Sequence, residues 1–239
     1  MTRRLAIIPA RSGSSRIPDK NVTDFCGRPM LAYPLAAART SNLYDEIHVS
    51  TDSPHYADVA AAEGCPVAFM RNPDLASNDT SIPTVLRWVV SEYAARGEVF
   101  EEVCMIMATA PLLEDTDLIG GHRALNEADG AYPVLALAGF PAPVERGLII
   151  ENDSVARFAQ PNLRFKHSQD CPPQYFDAGA FAVFTAVHLQ DETVRVYTDY
   201  TPYILERHKV TDINEPEDLA MAEVLYLGLQ AHTRYTDTA

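Results

Sequence analysis

Short apolar runs alternate with longer stretches whose apolar positions recur at helical spacing along the first half of the chain. Leu5–Pro9 is an apolar run of the kind that forms a strand buried on both faces. A loop rich in Ser, Gly and Arg follows, and then a predicted helix from about Met30 to Thr40. Glu46–Ser50 reads as a strand, residues 55–63 as a helix, and Val67–Phe69 as a further short strand. Thr80 and Ser81 are good helix caps and Pro83 suits a first turn, so a helix is predicted to run to about Arg96. Val103–Met107 reads as a strand, Asp115–Asn126 as a helix and Ala131–Ala136 as a strand. This alternation predicts an α/β fold with a mostly parallel sheet and right-handed crossovers.

The rhythm breaks over residues 137–177, where Pro141, Pro143, Pro161, Pro172 and Pro173 fall among many polar residues. That stretch is predicted to be an inserted arm rather than another strand–helix unit. Ala178–Phe184 resumes as a strand, and Pro216–Leu229 reads as a helix with Glu217 and Asp218 in the first turn, as the helix dipole favours. No repeat or linker divides the chain, so residues 1–239 are expected to form one domain. Ligands of open parallel sheets bind beyond the carboxyl ends of the strands. The loops after Pro9, Ser50 and Met107, and the segment near Asp212, should therefore converge on one cleft.

The composition, 47% hydrophobic and 22% charged, excludes disorder, collagen and coiled coil for the whole chain. A chain of this length buries about 70% of its unfolded surface and needs no disulfides or metals to fold. Charge adds more. Nineteen bases against 33 acids leave −14, which fits neither nucleic acid nor an anionic membrane as partner. Yet residues 1–30 hold Arg3, Arg4, Arg11, Arg16, Lys20 and Arg28 against Asp19 and Asp24, a net +4, leaving −18 for the rest. A basic opening on an acidic chain points to a small anionic ligand. Cys26, Cys65, Cys104 and Cys171 form no C-x-x-C, so neither a zinc knuckle nor a redox pair is expected. The first apolar run is too short for a signal peptide, and no 18-residue apolar stretch exists. The expectation is a soluble, cytoplasmic protein with four free, buried thiols.

The loop after the first strand carries the clearest chemistry. Residues 7–21 read IIPARSGSSRIPDKN. Small residues let backbone N–H groups approach a phosphate, while Arg11, Arg16 and Lys20 neutralise its charge. The string is not G-x-x-x-x-G-K-[ST], nor G-x-G-x-x-G, so neither a Walker-type NTPase nor a dinucleotide oxidoreductase is indicated. Asp212 and Asn214 lie two apart, so on an extended segment they face one side, and paired oxygen ligands of that kind suit Mg²⁺.

The whole string resembles the pattern IPARGGSKRIPxKN of the cytidylyltransferases that make CMP-activated nonulosonic acids, the CMP-sialic acid synthetase family. Further resemblances follow in order: DFCGRPMLAYPLAAA (24–38), VSTDS (49–53), FMRNPDLA (69–76), MATAP (107–111) and TDINEPEDLAMAE (211–223). HSQDCPPQYFDAG (167–179) is most similar to the pseudaminic acid branch. The resemblance covers nearly the whole chain and implies a Rossmann-like three-layer nucleotidyltransferase fold. It implies transfer of CMP from CTP to the anomeric hydroxyl of a nonulosonic acid, releasing pyrophosphate, with Mg²⁺ as cofactor.

By that resemblance Ala10, Arg11, Ser12, Gly13, Ser14, Lys20 and Asn21 hold the nucleotide, assisted by Arg71, Thr80 and Ser81. Arg11, Lys20 and Asp212 are the implied catalytic residues, and Asp212 with Asn214 the implied metal ligands. Met107, Thr109, His167, Gln169, Asp170, Tyr175 and Asp177 would line the sugar side. The arm would reach over the neighbouring subunit's site, which implies a homodimer. The chain departs from the family at Ser12 for glycine, Ser15 for lysine and Asn214 for aspartate, and Ala180 and Ala182 stand where larger residues are usual. Sialic, legionaminic or simpler sugar acids, and a nucleotide-binding module without catalysis, remain the alternatives.

Overall fold

The structure, a computed structural model, describes residues 2–14, 16–152, 154–192 and 197–236. Ser15, one of the departures named above, lies outside them. Ten strands and five α-helices occur among the described residues: β1 (Arg4–Pro9), β2 (Asp24–Phe25), β3 (Arg28–Pro29), α1 (Ala32–Thr40), β4 (Glu46–Ser50), α2 (Pro54–Ala62), α3 (Ile82–Ala95), β5 (Glu102–Ile106), α4 (Asp115–Glu127), β6 (Val134–Gly139), β7 (Leu148–Glu151), β8 (Val155–Phe158), β9 (Tyr175–Thr185), β10 (Thr201–Ile204) and α5 (Pro216–Thr236).

Six strands form the central sheet in the order β10-β6-β9-β5-β1-β4. β1 runs parallel to β4 and β5, and β10 parallel to β6, while β9 is antiparallel to both β5 and β6. Leu5 through Ile8 are fully buried, the signature of a strand covered on both faces. Ala6 and Ile8 pack with α1 and α4 residues such as Leu35 and Leu118, while Leu5 and Ile7 pack with Val85, Leu86 and Val89 of α3. Helices on two faces of a mostly parallel sheet make three layers. The chain runs from β1 to β4 on one side and returns to β5 on the other, so a crevice opens at the carboxyl ends between β1 and β5.

Helix starts follow local chemistry. Ser53 and Ser81 accept from the backbone N–H of Tyr56 and Thr84 at the heads of α2 and α3, and each helix has proline in its first turn. Thr80 does not cap α3; its hydroxyl pairs with Ser77 at 2.9 Å.

Two expectations need correction. Val67–Phe69 forms no strand. Phe69 instead stacks on His48 and meets Trp88 and Tyr93, with Arg96 over its ring, so aromatic packing overrides its strand propensity. All four cysteines are free, but only Cys65 and Cys104 are buried. Cys26 sits in the turn between β2 and β3 and Cys171 among the prolines before β9, and both are partly exposed. Between β6 and β9 the chain forms the β7–β8 hairpin and several 3-10 turns, and Leu148, Ile149, Ile150 and Phe165 there face outward. No described helix is long and apolar enough to cross a membrane.

Candidate active site

A cleft of about 310 Å³ lies at the carboxyl ends of β1 and β5. Arg11, Ser14, Arg16, Lys20 and Asn21 line it from the first loop, Arg71 and Thr80 from the stretch between α2 and α3, Met107 and Thr109 from the end of β5, and Asn214 from the segment before α5. A second hollow of about 580 Å³ adjoins it, lined by Ser81, Asp177, Gly179, Tyr200 and Asp212 among others. Thr80, Ile82 and Met107 border both, so the two are compartments of one site.

The first loop is held by bonds that leave its cations facing the cleft. The backbone N–H of Ala10, itself fully buried, donates to the Ser50 carbonyl at 2.9 Å. Asn21 donates through Nδ2 to the Arg11 carbonyl at 3.0 Å, so it shapes the loop around the ligand. Arg11 donates to Asn78 Oδ1 at 2.5 Å. Gly13 has φ +81°, a left-handed conformation that a side chain resists. Asp19 also takes a positive φ, 49°, and the Tyr56 hydroxyl pins its carboxylate at 3.0 Å just ahead of Lys20.

Lys20 Nζ donates to the Ile213 carbonyl, tying the first loop to the segment that carries Asp212. Burial pulls the Lys20 pKa below its usual 10.5; Asp212 opposes the shift, while Arg16 and Arg11 add to it. The other two lysines lie elsewhere: Lys209 anchors its turn to Glu114 and Asp117 at the head of α4, and Lys166 is on the arm. Arg71 is buried and grips Ser50 through Nε at 3.0 Å and Nη2 at 2.6 Å. Burial lowers its pKa to about 10, which leaves it charged at neutral pH.

Some residues that the sequence singles out are engaged otherwise. Ser12 directs both its N–H (2.8 Å) and its hydroxyl (2.7 Å) at Asp52, not at the cleft. Burial opposes the Asp52 charge, but these bonds outweigh it and hold the pKa below the usual carboxylate range. Ser81 caps α3 and borders only the second hollow. Asp177 borders that hollow, and its Oδ1 accepts from the Gly179 N–H at 2.9 Å. Tyr175 and Gln169 border a separate hollow at the root of the arm. His167 and Asp170 are exposed and border neither compartment. Asp52, Asn78, Tyr197 and Tyr200 are not among the residues that the sequence singles out. Asp52 had a signal: it stands just past a parallel strand, at the ligand-binding end.

A profile described as cytidylyltransferase matches residues 5–230. The chain belongs to the cytidylyltransferase family. Pseudaminic acid cytidylyltransferase of Campylobacter jejuni is 32% identical to it over 225 residues, 94% of this chain and 96% of that one. CMP-N,N'-diacetyllegionaminic acid synthase of Legionella pneumophila is 37% identical over 109 residues, 46% of this chain and 47% of that one. Among solved structures, CMP:2-keto-3-deoxy-manno-octonic acid synthetase complexed with CTP superposes with TM-score 0.71 over 95% of this chain and 99% of that one, at 15% identity, a likeness of fold.

For a divalent metal, this cytidylyltransferase offers a restricted set of donors. No group of three or more His, Cys, Asp or Glu side chains gathers among the described residues. Mg²⁺ needs only one or two carboxylates when phosphate oxygens and water complete its shell. Asp212 fits that role: it is exposed, borders the second compartment and lies near Lys20. Asn214 Oδ1 accepts from Arg16 at 3.1 Å, so as a companion ligand it would have to share or give up that bond. Arg16, also held by Glu215 at 2.9 Å, places a fixed positive charge there.

Proposed function

We propose that this cytidylyltransferase transfers CMP from CTP to the anomeric hydroxyl of a nonulosonic acid, with pseudaminic acid as the acceptor, and releases pyrophosphate. The joined compartments carry the reading: a narrow cationic cleft meets a roomier chamber at Thr80, Ile82 and Met107. A triphosphate fits the first and a sugar acid the second. The Campylobacter relative, similar along nearly the whole chain, selects the sugar.

The acceptor oxygen attacks the α-phosphorus in line, the bond to the bridging oxygen breaks, pyrophosphate departs and the hydroxyl proton is lost to solvent. Such transfer needs positioning and charge neutralisation more than covalent help. Arg11 and Lys20 supply charge along the triphosphate, Ser14 and the Gly13 turn let it approach the backbone, and Arg71 faces the nucleoside. Asp212 would hold Mg²⁺, which when bound neutralises further charge on the departing pyrophosphate.

His167, Gln169, Asp170 and Tyr175 would meet the sugar only if the arm crosses to a second copy, and its outward Leu148, Ile149, Ile150 and Phe165 suit such pairing. The reading is therefore of a homodimer, working in the cytoplasm where CTP is made. Local similarity to the legionaminic acid synthase favours that sugar as the second reading. Mass spectrometry of products from CTP and a panel of nonulosonic acids, with and without Mg²⁺, tests both. CMP-pseudaminic acid should dominate and require the metal. Exclusive formation of another CMP-sugar would replace the acceptor, and no CMP-sugar from any of them would overturn the reading.

A further inference from the structure

The end of β4 and the turn after it hold the first loop at three points. Ser50, fully buried, accepts from the Ala10 N–H at 2.9 Å. Asp52 accepts from the Ser12 N–H through Oδ1 at 2.8 Å and from the Ser12 hydroxyl through Oδ2 at 2.7 Å. Ser53 caps α2, and in the first turn of that helix the Tyr56 hydroxyl donates to Asp19 at 3.0 Å. The same turn mounts Arg71, whose backbone N–H donates to the Thr51 carbonyl at 2.7 Å and whose guanidinium donates to Ser50. The first loop and the buried arginine of the cleft therefore share one support.

Asp52 stands apart in that support because it is charged. A carboxylate beside a cleft lined by Arg11, Arg16 and Lys20 repels a polyanion, so charge alone gives it no reason to be there. Neither Asp52 nor Ser12 lines the cleft. Both carboxylate oxygens turn to Ser12 instead. Burial and Arg11 disfavour the Arg71 charge, and Asp52 supports it. The loop itself shows what needs holding. Gly13 follows Ser12 with φ +81°, and Ser14 beyond it lines the cleft. A run of such small residues has many arrangements of similar energy, and ordering it costs entropy. Two bonds to one residue fix backbone and side chain where the chain begins to reverse. The resembled pattern has glycine at position 12, which could make only the N–H bond.

We propose that Asp52 is a positioning residue: its two bonds to Ser12 set the first loop, before CTP arrives, in the shape that receives the triphosphate. The proposal rests on the nucleotide half of the function proposed above and adds to it a residue outside the cleft. A site that is competent for only part of the time binds with its intrinsic Kd divided by the competent fraction. Loss of the clamp lowers that fraction, so affinity falls although no group lining the cleft has been removed. The opposite sign follows if Asp52 is merely a nearby negative charge, because removing it would then strengthen CTP binding. The direction of the change therefore separates the two roles.

The experiment measures CTP affinity by calorimetry and thermal melting for wild type, Asp52→Ala, Asp52→Asn, Ser12→Ala and Ser12→Thr. Asp52→Ala removes both acceptors and should weaken CTP binding at least tenfold. Asp52→Asn can remake the contacts as neutral bonds and should fall between. Ser12→Ala loses only the hydroxyl bond and should weaken CTP binding about threefold or more, and Ser12→Thr, which keeps a hydroxyl, should recover most of that loss. If Asp52→Ala does not fold, Ser12→Ala against Ser12→Thr carries the comparison. CTP binding in folded Asp52→Ala as tight as in wild type or tighter, equal affinity in wild type and the two Ser12 variants, or a loss confined to melting temperature overturns the positioning role and leaves the nucleotide reading intact. Wild type without CTP affinity overturns that reading and the positioning role with it.

Discussion

Lys20 takes its chemistry from its surroundings. Burial lowers its pKa, so in the empty site it loses its proton at a lower pH than a free lysine. kcat/KM for CTP should therefore fall with rising pH at a midpoint below 10.5, and Lys20→Arg should remove that limb, because arginine does not titrate there. Lys20→Ala removes a charged contact of about 1.5–3 kcal/mol, so steady-state kinetics should record a loss of roughly tenfold or considerably more. An unchanged rate would separate Lys20 from the phosphates. His48 makes a different prediction, about stability. It is buried and stacked on Phe69, with Nδ1 near the Tyr93 hydroxyl at 3.2 Å and Nε2 unpartnered. Burial, with Arg71 and Arg96 nearby, lowers its pKa to about 3 from 6.5. The unfolded chain thus binds the proton first. The stability is fully present above pH 6.5 and is lost as pH falls toward 3, by up to about 1.4 kcal/mol per pH unit. Acid unfolding should flatten in His48→Asn over that window, and an unaltered slope would sink the assignment. Arg11 and Lys20 could be read from the sequence because their loop is one contiguous string. The Ser12–Asp52 contact could not, because it forms only when the loops after β1 and β4 meet in space.

At the scale of elements, α4 is fitted to the sheet by two adjacent glycines. A Cβ on Gly120 would come within 2.4 Å of the Tyr203 ring, and one on Gly121 within 2.4 Å of Phe181. Alanine improves helix propensity by about 1 kcal/mol, while overpacking costs about 1–3 kcal/mol. Gly121→Ala should therefore destabilise the protein on balance, visible as a lowered midpoint in urea. A raised midpoint would mean that α4 packs more loosely than described. The strands and helices of the first half could be read because burial imposes period and helix starts carry Ser and Pro. Two things could not be read. The direction of β9 leaves no mark in its own pattern, since alternation is the same for parallel and antiparallel pairing. Val67–Phe69 has strand-like residues, but Phe69 is more fully used in the cluster with His48, Trp88 and Tyr93 than it would be on a sheet edge.

Across the whole molecule, the residues expected on the sugar side divide between Met107, Thr109 and Asp177, which border the joined compartments, and His167, Gln169, Asp170 and Tyr175, which lie on or at the root of the arm. One chain alone does not bring them together, and the homodimer proposed above rests on a second copy doing so. Variants Lys20→Ala and Gln169→Ala/Asp170→Ala should each be impaired alone, and mixing them should raise turnover above that of either variant through composite sites. No recovery in a mixture shown to contain mixed dimers would place the arm outside catalysis. The charge distribution belongs to this scale too: of the six bases in residues 1–30 of a chain of −14, Arg11, Arg16 and Lys20 line the cleft, while Arg3, Arg4 and Arg28 pair with Glu98, Glu102 and Glu63 away from it. That leads to the most direct test of the account. Titration calorimetry of CTP should give one site per chain for wild type, with affinity weakened at least tenfold in Lys20→Ala and in Arg11→Ala. Absence of CTP binding, or binding indifferent to both substitutions, would contradict it.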